Sequence, residues 1–200
     1  FFFQMGALDY AGGTVVHINA GIAGLVACLM LGRRTGYGSQ HLAPSNLTFA
    51  MIGACLLWFG WMGFNGGSGL AANERAVMAI LVTQIAAAAG TISWMAAEWI
   101  SRGKPSLLGM ISGAVAGLVA ITPASGFVLC FWMVAVVKAK LGYDDSLDAF
   151  GVHGIGGMLG AVLTGFFATS AVTGSELPPM MTQVGIQIFS VAATLIYGGI

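Results

Sequence analysis

Two histidines set in apolar sequence, His17 and His153, are the residues best placed to do chemistry. His17 lies in the stretch DYAGGTVVHINAGIAG, eight positions after Asp9 with nothing charged between them. Eight residues of helix rise ~12 Å. If the segment spans a bilayer, an ionisable ring at that depth is costly and reads by default as part of a functional site. A neutral imidazole offers one donor and one acceptor, so two rings within ~3.2 Å could share a proton. Such a pair also offers a proton path. In an apolar conduit it would give an uncharged solute a hydrogen-bonding partner at mid-membrane. A bare cation there would face a desolvation penalty on the order of tens of kcal/mol. The blander alternative is two unrelated polar side chains, each bonding a backbone carbonyl within a bundle.

The two histidines sit in matching frames. Asp9 precedes His17 by eight residues, and Asp145 precedes His153 by eight. Val16 and Val152 come immediately before the rings, and glycines follow at plus four and plus seven: Gly21 and Gly24, then Gly157 and Gly160. These offsets put the glycines on the histidine's own helix face, where small residues let helices approach closely. Weak internal similarity between segments of opposed topology is the mark of an inverted-repeat transporter with its site at the repeat interface.

A second constellation is Leu57, Trp61, Phe64 and Ser68, spaced four, three and four apart on one helix face. A hydroxyl acceptor beside aromatic faces suits a small cation, which ring quadrupoles attract by ~0.5–2 kcal/mol. The same spacing also describes an ordinary aromatic stripe of a membrane helix. Asp9 either caps the first helix or exerts a long-range pull on a cation. Asp144, Asp145 and Asp148 are capping candidates for the later histidine segment. Asn19, Asn65 and Thr122 are expected to bond across helices, and Glu98 to snorkel or to pair with Arg102. His41 is expected to be solvated or capping.

The elements that must position these groups are membrane helices. Of 200 residues, 58% are hydrophobic and 7% charged, with a mean hydropathy of +0.90. A soluble domain carries about 25% charged residues, so an all-α, multi-pass bundle in a lipid bilayer is expected. Apolar spans fall at about 10–31, 47–70, 76–100, 107–121, 149–168 and 184–200, with a seventh at 127–137 that is short for a span but whose crossing the distribution of basic residues favours. Six of the seven basic residues fall in the loops 32–46, 101–106 and 138–149, which makes those loops cytoplasmic. The first span then runs inward and the 149–168 span outward. Cys28, Cys55 and Cys130 lie in apolar runs, with no disulfide or metal spacing. No cofactor or metal is expected, because two histidines without further ligands make a poor metal or haem site. Net charge is zero and the basic residues are scattered, which argues against a nucleic-acid partner. The chain opens on Phe1-Phe2-Phe3 and stops in an apolar run, and it is read as a fragment, a single transmembrane domain over residues 1–200.

Four blocks carry a resemblance. DYAGGTVVHINAGIAGL, FGWMGFNGGS, KPSLLGMISGAVAGLVAITPASG and DDSLDAFGVHGIGGMLGAVLTGFFA resemble, in order, blocks of the family of ammonium transporters, methylammonium permeases and Rhesus proteins. The resemblance implies the latter half of an eleven-helix inverted-repeat fold, from the fifth helix into the eleventh, with a shortened ninth helix. It implies no enzyme but a homotrimer with a pore in each protomer. Ammonium (or its analogue methylammonium) would be captured at an outer vestibule and deprotonated, and ammonia would cross. By the same resemblance His17 and His153 match the twin pore histidines, and Trp61 and Phe64 the pore tryptophan and aromatic gate. Ser68 and Asp9 match the recruitment serine and vestibule acid, and Asp148 the acid at the cytoplasmic pore mouth. A non-conducting structural fragment and a Rhesus-like gas channel stay open as alternatives.

Overall fold

The computed structural model describes residues 1–40, 42–123, 143–145, 148–173 and 176–199. Among these, six helices carry the fold, with single turns at Phe3–Met5 and Ser170–Thr173. The first, α1 (Gly13–Leu31), opens with a π-helical turn over Gly13–Ile18 and continues as α-helix. Then come α2 (Leu47–Gly67), α3 (Glu74–Arg102) and α4 (Leu107–Ile121). The fifth, α5 (Phe150–Phe167), also opens with a π-helical turn, Phe150–Gly154, and α6 is Met180–Gly199. All but α4 are long and apolar enough to cross a membrane.

Local chemistry sets the ends. Asn46, Asn73 and Ser106 cap α2, α3 and α4, each side chain accepting from the backbone N–H three residues on. α3 therefore starts at Glu74, two residues before the expected Ala76. α6 starts at Met180 rather than Val184, directly after Pro178-Pro179, where proline's fixed φ suits a helix entrance. α1 starts at Gly13 rather than Tyr10, because Gly12 has φ 95° and breaks the helix there. The 127–137 segment, His41, Cys130, Lys138 and Lys140 lie outside the described residues.

The helix pair α3–α4 is joined by a seam of small residues. Gly109, Gly113 and Gly117 recur every four residues on α4, where Gly109 faces Glu98, Gly113 faces Gly90, and Gly117 faces Ala86 and Ala87 of α3. A Cβ on Gly113 would come 2.6 Å from the Gly90 carbonyl oxygen. Backbones this close make dispersion contacts that lipid cannot supply. At the seam's end Glu98 is 3% exposed and accepts from the Ser106 N–H at 2.7 Å and from its hydroxyl. The expected ion pair with Arg102 is present at 3.4 Å, longer than the bonds Glu98 makes to Ser106 at the start of α4. Two apolar clusters fill the interior, one around Trp61, Trp94, Leu118 and Val152, the other around Ile18, Ala161 and Val191.

Two buried amides on α6 hold the chain leading into α1. Gln187 mimics a peptide: its Oε1 accepts from Leu8 N–H at 2.8 Å, and its Nε2 donates to Leu8 O at 2.7 Å and to Ala161 O at 2.9 Å. Gln183 donates to Gly6 O. Asp9 thus follows a residue pegged to α5 and α6 together. Gln187→Leu in the full-length protein would strand one donor and two acceptors, and is expected to cost about 2 kcal/mol, read as a lower unfolding temperature in detergent.

Candidate functional site

The two histidines meet where α1 crosses α5. His17 Nδ1 lies 3.4 Å from His153 Nδ1, with ring centroids 5.4 Å apart. That is slightly beyond the expected ~3.2 Å, a long hydrogen bond between rings that face each other. The glycines make the approach possible. A Cβ on Gly21 would sit on the backbone of Gly154, one on Gly157 would come 2.9 Å from Gly13 O, and one on Gly24 would come 3.0 Å from Ala149 Cβ. As residue number rises along α1, the partner number on α5 falls, so the helices run antiparallel. The contacts also come in related pairs. Shifting each partner by the 136 residues that separate the histidines converts the Gly21–Gly154 approach into Ile18–Gly157, where a Cβ on Gly157 would come 3.1 Å from Ile18 Cγ1. A pseudo-two-fold axis therefore passes between the two imidazoles.

Each ring leaves a π-helical turn, a widened turn found mostly at functional sites. The two turns are built alike. Gly12 (φ 95°) and Asp148 (φ 53°), 136 residues apart, both hold the left-handed conformation, and each carbonyl accepts at 2.8 Å from the N–H four residues on, Val16 and Val152. Three residues before each stands a capping carboxylate. Asp9 Oδ2 accepts from Thr14 N–H at 3.0 Å and Val15 N–H at 3.3 Å. Asp145 accepts from Ala149 N–H at 3.0 Å and Phe150 N–H at 2.8 Å. Left-handed backbone costs a non-glycine residue roughly 1–2 kcal/mol, less for Asp, so Asp148 is held where glycine would be easier.

Around His17 the second constellation closes in. Trp61 stacks on the ring, with centroids 5.1 Å apart and planes 14° from parallel. Phe64 meets it edge-on at 6.0 Å and meets Trp61 at 5.8 Å. Ser68 lies one turn beyond Phe64 and spends its hydroxyl hydrogen on Phe64 O at 2.8 Å, so what it offers outward is an acceptor. Asn65 and Thr122 do bond across helices, through Thr83 and Trp61 respectively, whereas Asn19 donates to Val15 O of its own helix. Leu57 is 51% exposed and lies apart from the ring cluster.

The remaining acids take separate roles. Asp9 Oδ1 is buried with no hydrogen-bond partner among the described residues. Burial pushes this carboxyl above the ordinary 3.8, against the pull of the backbone N–H groups of Val15, Thr14, Gly13 and Gly12. At the other end, the Tyr143 hydroxyl is pushed up to about 12 by burial and by the nearby carboxylates of Asp145 and Asp148. Asp144 instead takes a two-pronged ion pair from Arg34, both bonds at 2.7 Å, together with the Arg34 N–H at 2.9 Å. Nothing in the spacing of Arg34 signals this partner. Among the described residues no group of three His, Cys, Asp or Glu is placed to hold a metal ion.

Residues 1–200 match the family model described as the Ammonium Transporter Family. The chain belongs to the ammonium transporter family. An ammonium transporter of Aquifex aeolicus (strain VF5) is 52% identical, over 98% of this chain and 49% of that protein. An ammonium transporter of Bacillus subtilis (strain 168) is 46% identical, over 97% of this chain and 52% of that protein. The crystal structure of Saccharomyces cerevisiae Mep2 superposes with a TM-score of 0.89 at 38% identity, covering 99% of this chain and 51% of that one. The chain spans about half the length of the curated relatives it matches. The all-helical, multi-pass membrane fold is thus one half of the ammonium transporter fold.

Proposed function

We propose that this chain is half of a protomer that moves ammonium nitrogen across the membrane as ammonia. The reading rests above all on one observation, the facing His17 and His153 rings beneath the Trp61–Phe64 cover. Ammonium is drawn to the outer end, where Ser68 offers an acceptor, Phe64 an aromatic face and Asp9 a negative charge. It gives its proton to the water outside, because a bare cation cannot enter an apolar path without the large desolvation penalty. Ammonia then passes along the imidazoles, which replace the hydrogen bonds that water gave it. Asp148 stands at the cytoplasmic mouth, in the left-handed site that Gly12 fills in the other repeat.

Methylammonium serves as a transported analogue. The loops holding Arg33, Arg34, Arg102 and Lys104 face the cytoplasm of a cell whose plasma membrane holds the protein. Apolar side chains on α2 such as Phe49, Leu56 and Phe59, all well over half exposed, need cover from lipid, from the other half of the protomer or from copies in a homotrimer. The activity is transport, and the substrate undergoes no change beyond loss of a proton. Cells expressing the full-length protein are expected to take up labelled methylammonium, and His17→Ala is expected to reduce uptake to background. Uptake by the mutant equal to that of the parent would remove the histidine pair from the mechanism.

A further inference from the structure

The contacts between α1 and α5 treat the two histidines as equals, but their surroundings do not. Thr122, at the end of α4, is 1% exposed and places its hydroxyl oxygen 3.3 Å from His17 Nε2. That oxygen also lies 3.1 Å from Trp61 Nε1, 2.9 Å from Leu118 O and 3.5 Å from Asn65 Oδ1. A hydroxyl has one hydrogen and two lone pairs, and an indole nitrogen only donates. One lone pair therefore takes the Trp61 N–H. The hydrogen has two oxygen acceptors to choose between, and the nearer is Leu118 O, the i−4 carbonyl that helical threonines commonly bond. Asn65 cannot turn its amide to donate instead. The Thr83 hydroxyl bonds Ala79 O at 2.6 Å, so Thr83 accepts from Asn65 Nδ2 at 2.9 Å, and Asn65 is left showing its oxygen to Thr122. His17 Nε2, at 3.3 Å, is the longer alternative acceptor; with the hydrogen on Leu118 O at 2.9 Å, a lone pair faces His17.

We infer that Thr122 is a positioning residue that fixes which imidazole holds the shared hydrogen. His17 must carry its proton on Nε2 to meet the threonine lone pair. A neutral ring has one N–H, so His17 Nδ1 is bare and accepts. His153 Nδ1 must then donate, which leaves His153 Nε2 as the bare, basic end of the pair. The reverse arrangement would turn the Thr122 hydrogen from Leu118 O at 2.9 Å to His17 Nε2 at 3.3 Å and leave a threonine lone pair facing that carbonyl, with both side chains buried. The inference deepens the transport reading and rests on it for its functional consequence: a proton or an ammonia N–H arriving at the pair is received at His153 Nε2.

Site-resolved nitrogen NMR of the full-length protein labelled with 15N-histidine tests this, because protonated and bare ring nitrogens differ widely in shift. The expected pattern is His17 protonated on Nε2 and His153 on Nδ1. A parent protein showing His17 protonated on Nδ1, or an even mixture, overturns the inference without any mutant. Thr122→Val, which keeps the shape and loses the hydroxyl, is expected to lower the preference for this pattern by ~5–10-fold, about the worth of one hydrogen bond. Thr122→Ser is expected to keep it. A Thr122→Val protein with the parental pattern would also overturn it. If that variant does not fold, the parent and Thr122→Ser spectra decide the matter. Methylammonium uptake by the parent is measured alongside: a parent that shows the pattern and no uptake sinks the transport reading and leaves the tautomer assignment standing.

Discussion

Gly21→Ala in the full-length protein is expected to abolish methylammonium uptake and to lower stability by about 3 kcal/mol, the upper end of ordinary overpacking costs. The added methyl would land on Gly154 N and Cα, which are backbone atoms of the π-helical turn that carries His153. A side chain could swing aside, but backbone held by its own helix cannot. The helices must part, and the long 3.4 Å hydrogen bond between the rings has no slack to absorb the movement. The control is Gly53→Ala on α2, where a Cβ meets nothing within 4 Å and helix propensity slightly favours alanine. Thermal unfolding in detergent and uptake in cells read both variants. If Gly21→Ala unfolds and transports like Gly53→Ala, the two backbones are not in contact and the crossing is wrong.

The crossing was legible because it is written in side chains. Histidine at the same place in two frames, with glycine at plus four and plus seven, states both which faces meet and how closely. The π-helical turns were not legible, because no side-chain periodicity distinguishes a widened turn from an α-helical one. Their shared left-handed residue is glycine in one repeat and aspartate in the other, so the likeness lies in backbone angle and not in residue type. Asp9 and Asp145 were visible as capping candidates for the same reason the histidines were, since a carboxylate before an apolar run has few other uses.

Polar residues that bond backbone or distant loops escaped. Gln187 is a lone amide in an apolar run, and its partners Leu8 and Ala161 are named only by carbonyl and N–H groups that every residue carries. Arg34 and Asp144 are 110 positions apart with no repeat to link them. The spacing of Glu98 to Arg102 signals their ion pair but not the shorter bond from the Ser106 N–H. Thr122 was visible as a helix-bridging hydroxyl, but its command of the histidine tautomer depends on four distances that only the folded chain sets.

Those distances depend on how deeply α4 sits against α3, and Gly117→Ala tests this directly. A methyl on Gly117 would land on the Ala86 carbonyl group and come 3.0 Å from Ala87 Cα, again backbone against backbone. The expected cost is about 3 kcal/mol, matching Gly21→Ala. The functional reach is different, because Gly117 touches neither histidine. It lies five residues before Thr122, ~7.5 Å along the helix, so pushing α4 off α3 shifts the threonine oxygen relative to His17 Nε2. Protein that still folds is expected to keep the facing rings and lose the single tautomer pattern. Gly21→Ala would part the rings themselves. Two substitutions of equal stability cost would then give different nitrogen spectra. That separation follows from geometry alone: α1 and α5 set the distance between the imidazoles, and α4 sets which one of them donates.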